Sequence, residues 1–89
     1  MTPIELRVSF KVDTGDYPTW FGDGYNRAFH LGKMKTEYGL WMEEKLGVQK
    51  VLREQYYQEE RENAFYGDKP NVLTQSYMRW LENKITVNL

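Results

Sequence analysis

The chain has no cysteine and only one histidine, His30, among 89 residues. Disulfides, a common support for small domains, are therefore excluded. A zinc site of thiolates or paired imidazoles is excluded with them, and no metal or cofactor is expected. No apolar run approaches the ~20 residues of a membrane-spanning helix. The opening Met1-Thr-Pro-Ile-Glu-Leu-Arg has neither the basic nor the apolar region of a secretory signal. Twelve basic residues stand against thirteen acidic ones, a net charge of −1. That balance gives no electrostatic reason to expect nucleic acid or an anionic membrane as partner. Together these absences point to the cytoplasm.

Rings are plentiful instead: three Trp, seven Tyr and four Phe, 16% of the chain. A chain this short hides only roughly 60–65% of its unfolded surface. Some of those rings are expected at the surface, where aromatics favour interfaces.

Ile4, Leu6, Val8, Phe10 and Val12 alternate with Glu5, Arg7, Ser9 and Lys11. A period of two predicts a half-buried β-strand over residues 4–12. Residues 13–26 break the periodicity with Gly, Pro, Asp and Asn, which are turn formers. Met34, Tyr38, Trp41, Met42 and Leu46 follow helical spacing up to Gly47, predicting a helix over 33–46. Val48, Val51, Leu52 and Tyr56 open a second helix, expected to reach Tyr66 before Gly67 ends it. Residues 58–63 of that helix are polar on every face. Leu73, Tyr77, Trp80, Leu81 and Ile85 give a third helix, and Ile85, Val87 and Leu89 then alternate as a short strand over 85–89.

No internal repeat, low-complexity tract or linker is read, so residues 1–89 count as one α+β domain ordered β-α-α-α-β. The long N-terminal strand would pair with the short C-terminal one and pack on two to three helices. At ~3.3 Å per residue the first strand outreaches the last by nearly half, and its other edge has no neighbour. Either the 13–26 loop covers that edge, or a second copy or a partner's strand completes the sheet.

Several residue clusters are candidates for chemistry. Asp13, Asp16 and Asp23 lack the alternate-position spacing and terminal Glu of a calcium loop, and turn formation accounts for them. Gly22-Asp-Gly lacks the Gly-Lys-Ser/Thr of a phosphate loop. No nucleophile stands in a context that would activate it, so no enzyme is expected. Tyr17, Trp20, Phe21 and Tyr25 precede an acid-free basic stretch with Arg27, His30, Lys33 and Lys35. Rings for stacking beside cations could hold an anionic ligand or nucleotide around residues 17–35. Tyr57 and Tyr66 flank the polar turn of the second helix and suit a wet protein contact.

The leading expectation is a small non-catalytic protein that docks on a larger macromolecule as adaptor, accessory subunit or inhibitor, through the edge of the first strand or by self-association. Its type fits a phage-encoded or bacterial accessory protein. The alternative is the ring-plus-cation pocket.

Overall fold

The computed structural model describes residues 1–20 and 33–88. Among them are four helices and one antiparallel hairpin: α1 (Pro3–Thr14), α2 (Thr36–Leu46), α3 (Gln49–Glu60), β1 (Phe65–Tyr66), β2 (Lys69–Leu73) and α4 (Gln75–Asn88). The domain is α+β but mostly helical, and the order β-α-α-α-β is wrong at both ends.

The N-terminal segment is a helix because its start and stop signals outweigh its alternation. Thr2 accepts the Glu5 N–H at 3.2 Å while Glu5 accepts the Thr2 N–H, a reciprocal capping box. Pro3 occupies the first helical position, where its missing N–H costs nothing. Gly15 closes the helix at φ 76°, its N–H on the Lys11 carbonyl. Of the five alternating apolar residues, Leu6 and Phe10 are one turn apart and buried; Val8 and Val12 face solvent. Residues 4–12 therefore offer no strand edge, and docking through such an edge is withdrawn.

The C-terminal strand is also helix. Ile85 ends a stripe of Tyr77, Met78, Leu81 and Ile85 on the buried face of α4. The Thr86 hydroxyl donates to the Glu82 carbonyl one turn back, so its β-branched character is absorbed by the helix.

Between these ends the second predicted helix stops early. Arg61 caps α3 in the left-handed region at φ 57°, and Phe65–Tyr66 joins Lys69–Leu73 in a hairpin turning at Gly67-Asp68. Phe65 pairs with Leu73 and Tyr66 with Lys69, with an irregularity between them. Pro70 lies in that interval and has no N–H to give a ladder. Likewise α2 begins at Thr36, because residues 33–35 are extended. Trp20 N–H bonds the Lys33 carbonyl and Lys35 N–H the Pro18 carbonyl, both at 2.8 Å, around a Thr19–Met34 bridge.

The hairpin and that isolated bridge belong to a larger pattern that corrects the reading of no internal repeat. Leu6, Arg7, Phe10 and Asp13 of α1 are matched at the same spacing by Leu52, Arg53, Tyr56 and Glu59 of α3. Tyr38, Trp41, Met42, Glu43 and Lys45 of α2 are matched by Tyr77, Trp80, Leu81, Glu82 and Lys84 of α4. The left-handed caps Gly15 and Arg61 correspond, as do the bridges Thr19–Met34 and Phe65–Leu73. Among the described residues the chain thus repeats one plan, a helix, a bridged pair of extended segments and a second helix. Contacts between the copies are reciprocal, as at an isologous interface. The Gln75 amide bonds the Met34 backbone at both its N–H and C=O, and the Thr36 hydroxyl, at the equivalent position, accepts the Leu73 N–H.

Candidate functional site

Two buried carboxylates sit where the copies interlock. Glu82, 5% exposed, accepts from Arg7 Nε at 2.6 Å, Arg7 Nη2 at 3.0 Å and the Tyr38 hydroxyl at 2.7 Å. Glu43, 1% exposed, accepts from Arg53 Nε at 2.8 Å, Arg53 Nη2 at 3.0 Å, Gln49 and the Tyr77 hydroxyl. Each tyrosine donates to the glutamate of the other copy. Each carboxylate meets its arginine through a two-pronged contact, the geometry that suits a guanidinium best. Burial, with the carboxylate beside each phenol, pushes Tyr38 and Tyr77 far above the ordinary tyrosine value. Burial opposes the Arg7 charge, but Glu82 outweighs it and holds the guanidinium above its usual value.

A ring cluster backs each node. Phe10 meets Tyr38 and Trp41 edge-on, while Tyr38 and Trp41 stack. Tyr56, Tyr77 and Trp80 repeat that arrangement. Asp13 accepts the Trp41 indole N–H and Glu59 that of Trp80, with Lys45 and Lys84 over the respective rings. These carboxylates have their donors inside the protein, and the nodes read as the clamps of the fold.

One open groove, of about 540 Å³, lies between α2 and the hairpin. Trp20, Leu40, Tyr66 and Val72 present apolar surface there, Trp20 being 60% exposed. Lys33 and Lys69 line it and make no ion pair among the described residues, of which Glu37 is the one acid in the lining. A second open groove of about 600 Å³ between α3 and the hairpin contains Tyr57 and shares Tyr66.

The structure therefore brings Trp20, Lys33 and Tyr66 together, with Tyr57 next door. Lys35 is elsewhere in role: it is buried, paired with Asp16 at 3.0 Å, and lies over the Trp20 ring at 5.0 Å. The Lys35 ammonium lowers the Asp16 carboxyl below its usual value. Tyr17 is half-buried under Lys11. Phe21, Tyr25, Arg27 and His30 lie outside the described residues, as does Asp23. Leu40, Lys69 and Val72 are groove residues that sequence reasoning missed. For Lys69 and Val72 the signal was the hairpin turn at Gly67-Asp68, which places residues 69–72 opposite α2.

Among the described residues no group of His, Asp or Glu could hold a metal, and no helix is long and apolar enough to cross a membrane. Compared with family models, curated proteins and solved structures, the chain matches none.

Proposed function

We infer that this is a small non-catalytic interaction module that docks on a partner protein through the groove between Trp20 and Tyr66. One observation carries the reading: exposed apolar side chains from separate elements gather around one groove with two lysines, while the buried carboxylates are engaged inside. Exposed apolar surface gathered in one place and rimmed by polar residues marks interaction sites. Trp and Tyr, which line it, are residue types that often dominate binding energy.

The test compares three baits in host lysate: the native chain, Trp20→Asp, and Val12→Asp on the outer face of α1. The reading predicts a captured protein that Trp20→Asp loses and Val12→Asp keeps. Capture unchanged by Trp20→Asp, or no capture, refutes it.

The anionic-ligand reading keeps one observation in its favour, Lys33 beside the Trp20 ring in the same groove. It has lost Lys35 to Asp16. A rise in Tm with ATP that Trp20→Asp abolishes would shift the conclusion to that reading.

A further inference from the structure

We propose that the groove holds an extended, acidic segment of a partner chain, gripped across the internal two-fold by a pair of equivalent rings, Trp20 and Tyr66. This rests on the docking reading above.

The pairing of the rings follows from the repeat. Thr19 and Phe65 are the equivalent bridge residues, and Trp20 and Tyr66 are the next residue in each copy. Among the described residues the other equivalent ring pairs are packed into their own clusters, Phe10 with Tyr56 and Tyr38 with Tyr77 buried, Trp41 with Trp80 partly buried. Trp20 and Tyr66 alone among these pairs are both exposed, at 60% and 38%, and both line one groove. A plan that packs three ring pairs into clusters and leaves the fourth outward on a shared surface places two hydrophobic grips on either side of whatever lies between them. Aromatics suit this, offering large contact area with few rotamers to freeze.

The chemistry of the occupant follows from charge. Lys33 and Lys69 bring two positive charges against the single carboxylate of Glu37. A partner segment with Asp or Glu gains from both lysines, and a basic one is repelled. The volume of about 540 Å³ lies within the range of about 300–1,000 Å³ typical of ligand sites. An open groove of that size takes a few residues of extended chain. The copies also differ here, since Lys33 in one is matched by Val72 in the other. The occupant therefore meets two unlike walls, Lys33, Glu37 and Leu40 on one and Lys69 and Val72 on the other, which fixes its direction.

The experiment pans a random nonapeptide display library against the immobilised full-length protein, then measures the selected peptides on variants whose far-UV dichroism matches the native chain. The expected result is enrichment of Asp/Glu-rich peptides. Trp20→Ala and Tyr66→Ala should each weaken binding at least tenfold, Tyr66→Phe should keep it, and Lys33→Glu with Lys69→Glu should abolish it. Peptides that respond to Trp20→Ala but not to Tyr66→Ala overturn the two-ring grip and leave the docking reading standing. Enrichment of neutral or basic peptides overturns the acidic occupant. No enrichment, or binding indifferent to both rings, overturns this proposal and the docking reading together. A native mass showing a dimer that Trp20→Ala dissociates would assign the groove to a second copy of the chain and overturn the partner segment.

Discussion

Replacing Arg7 by alanine strands Glu82, and the structure indicates how much that should cost. The two side chains are 12% and 7% exposed, so water cannot take over the lost contacts without opening the α1–α4 interface. Without the guanidinium the carboxylate keeps only the Tyr38 hydroxyl of its present side-chain donors. Removing one partner of a buried ion pair typically costs about 3–5 kcal/mol. Each kcal/mol shifts Tm by roughly 4–8 °C in a domain of this size, so Arg7→Ala should lower Tm by about 12 °C or more. Urea unfolding read by dichroism gives the value directly. The double replacement Arg7→Met with Glu82→Leu removes both charges and should recover most of the loss, since well-packed apolar residues often replace such pairs without penalty. Arg53→Ala should cost less, because its side chain is 24% exposed and Glu43 keeps both Gln49 and Tyr77 as donors. An Arg7→Ala loss under about 1 kcal/mol, the value of an exposed pair, would refute the burial argument.

Three further outcomes follow from the same packing. Burial, together with the neighbouring Glu62, raises the Tyr56 phenol to about 12 from an ordinary value of 10.0, and Tyr38 and Tyr77 are raised further. The folded chain thus keeps protons that the unfolded chain releases, so stability holds below pH 10 and falls as pH climbs from there through the folded values. Phenolate absorbance and dichroism followed together should show these tyrosines ionising with unfolding; ionisation of all three near pH 10 in a folded chain would contradict it. The Thr19 hydroxyl is buried without a hydrogen-bond partner among the described residues, so Thr19→Val should raise stability by about 1 kcal/mol, and a lower Tm would show that the hydroxyl is satisfied. At Gly39 an added Cβ would sit 2.5 Å from Leu73 Cδ1 and 3.0 Å from Met78, both fully buried. Gly39→Val should therefore lose about 1–3 kcal/mol through overpacking, and an unchanged urea midpoint would show that the core yields.

The legibility of the fold varied with the kind of signal. The stripes of α2 and α4 were readable, because Tyr38, Met42, Tyr77 and Leu81 recur at helical spacing and are fully buried. α1 was misread because five alternating apolar residues also place two of their number on one helical face, and Leu6 with Phe10 suffice for a peripheral helix. The Thr2–Glu5 capping box and Gly15 were present in the letters and carried the answer. The buried polar positions were illegible: Arg7, Glu43 and Glu82 look like solvated charges until the partner elements are placed. The groove was half legible through Trp20, Lys33 and Tyr66. Its other wall depended on a hairpin hidden inside a predicted helix.

The repeat escaped a reading along the chain because its two helices are offset differently, 46 positions from Leu6 to Leu52 but 39 from Tyr38 to Tyr77. The strand-to-strand connection of the first copy is longer, so no single period aligns both. Where the copies meet, equivalence also has to fail. Gly39 and Met78 hold the same position in α2 and α4, and the space that a Cβ at Gly39 would enter is taken by the Met78 side chain. Two large residues cannot both occupy a point of closest approach, and two glycines would leave it empty and weaken both helices. One small and one large side chain fill it. Divergence there is imposed by packing, whereas divergence between Lys33 and Val72 on the open groove is imposed by nothing in the core. That difference makes the groove, and not the clamps, the place where this fold is free to carry specificity.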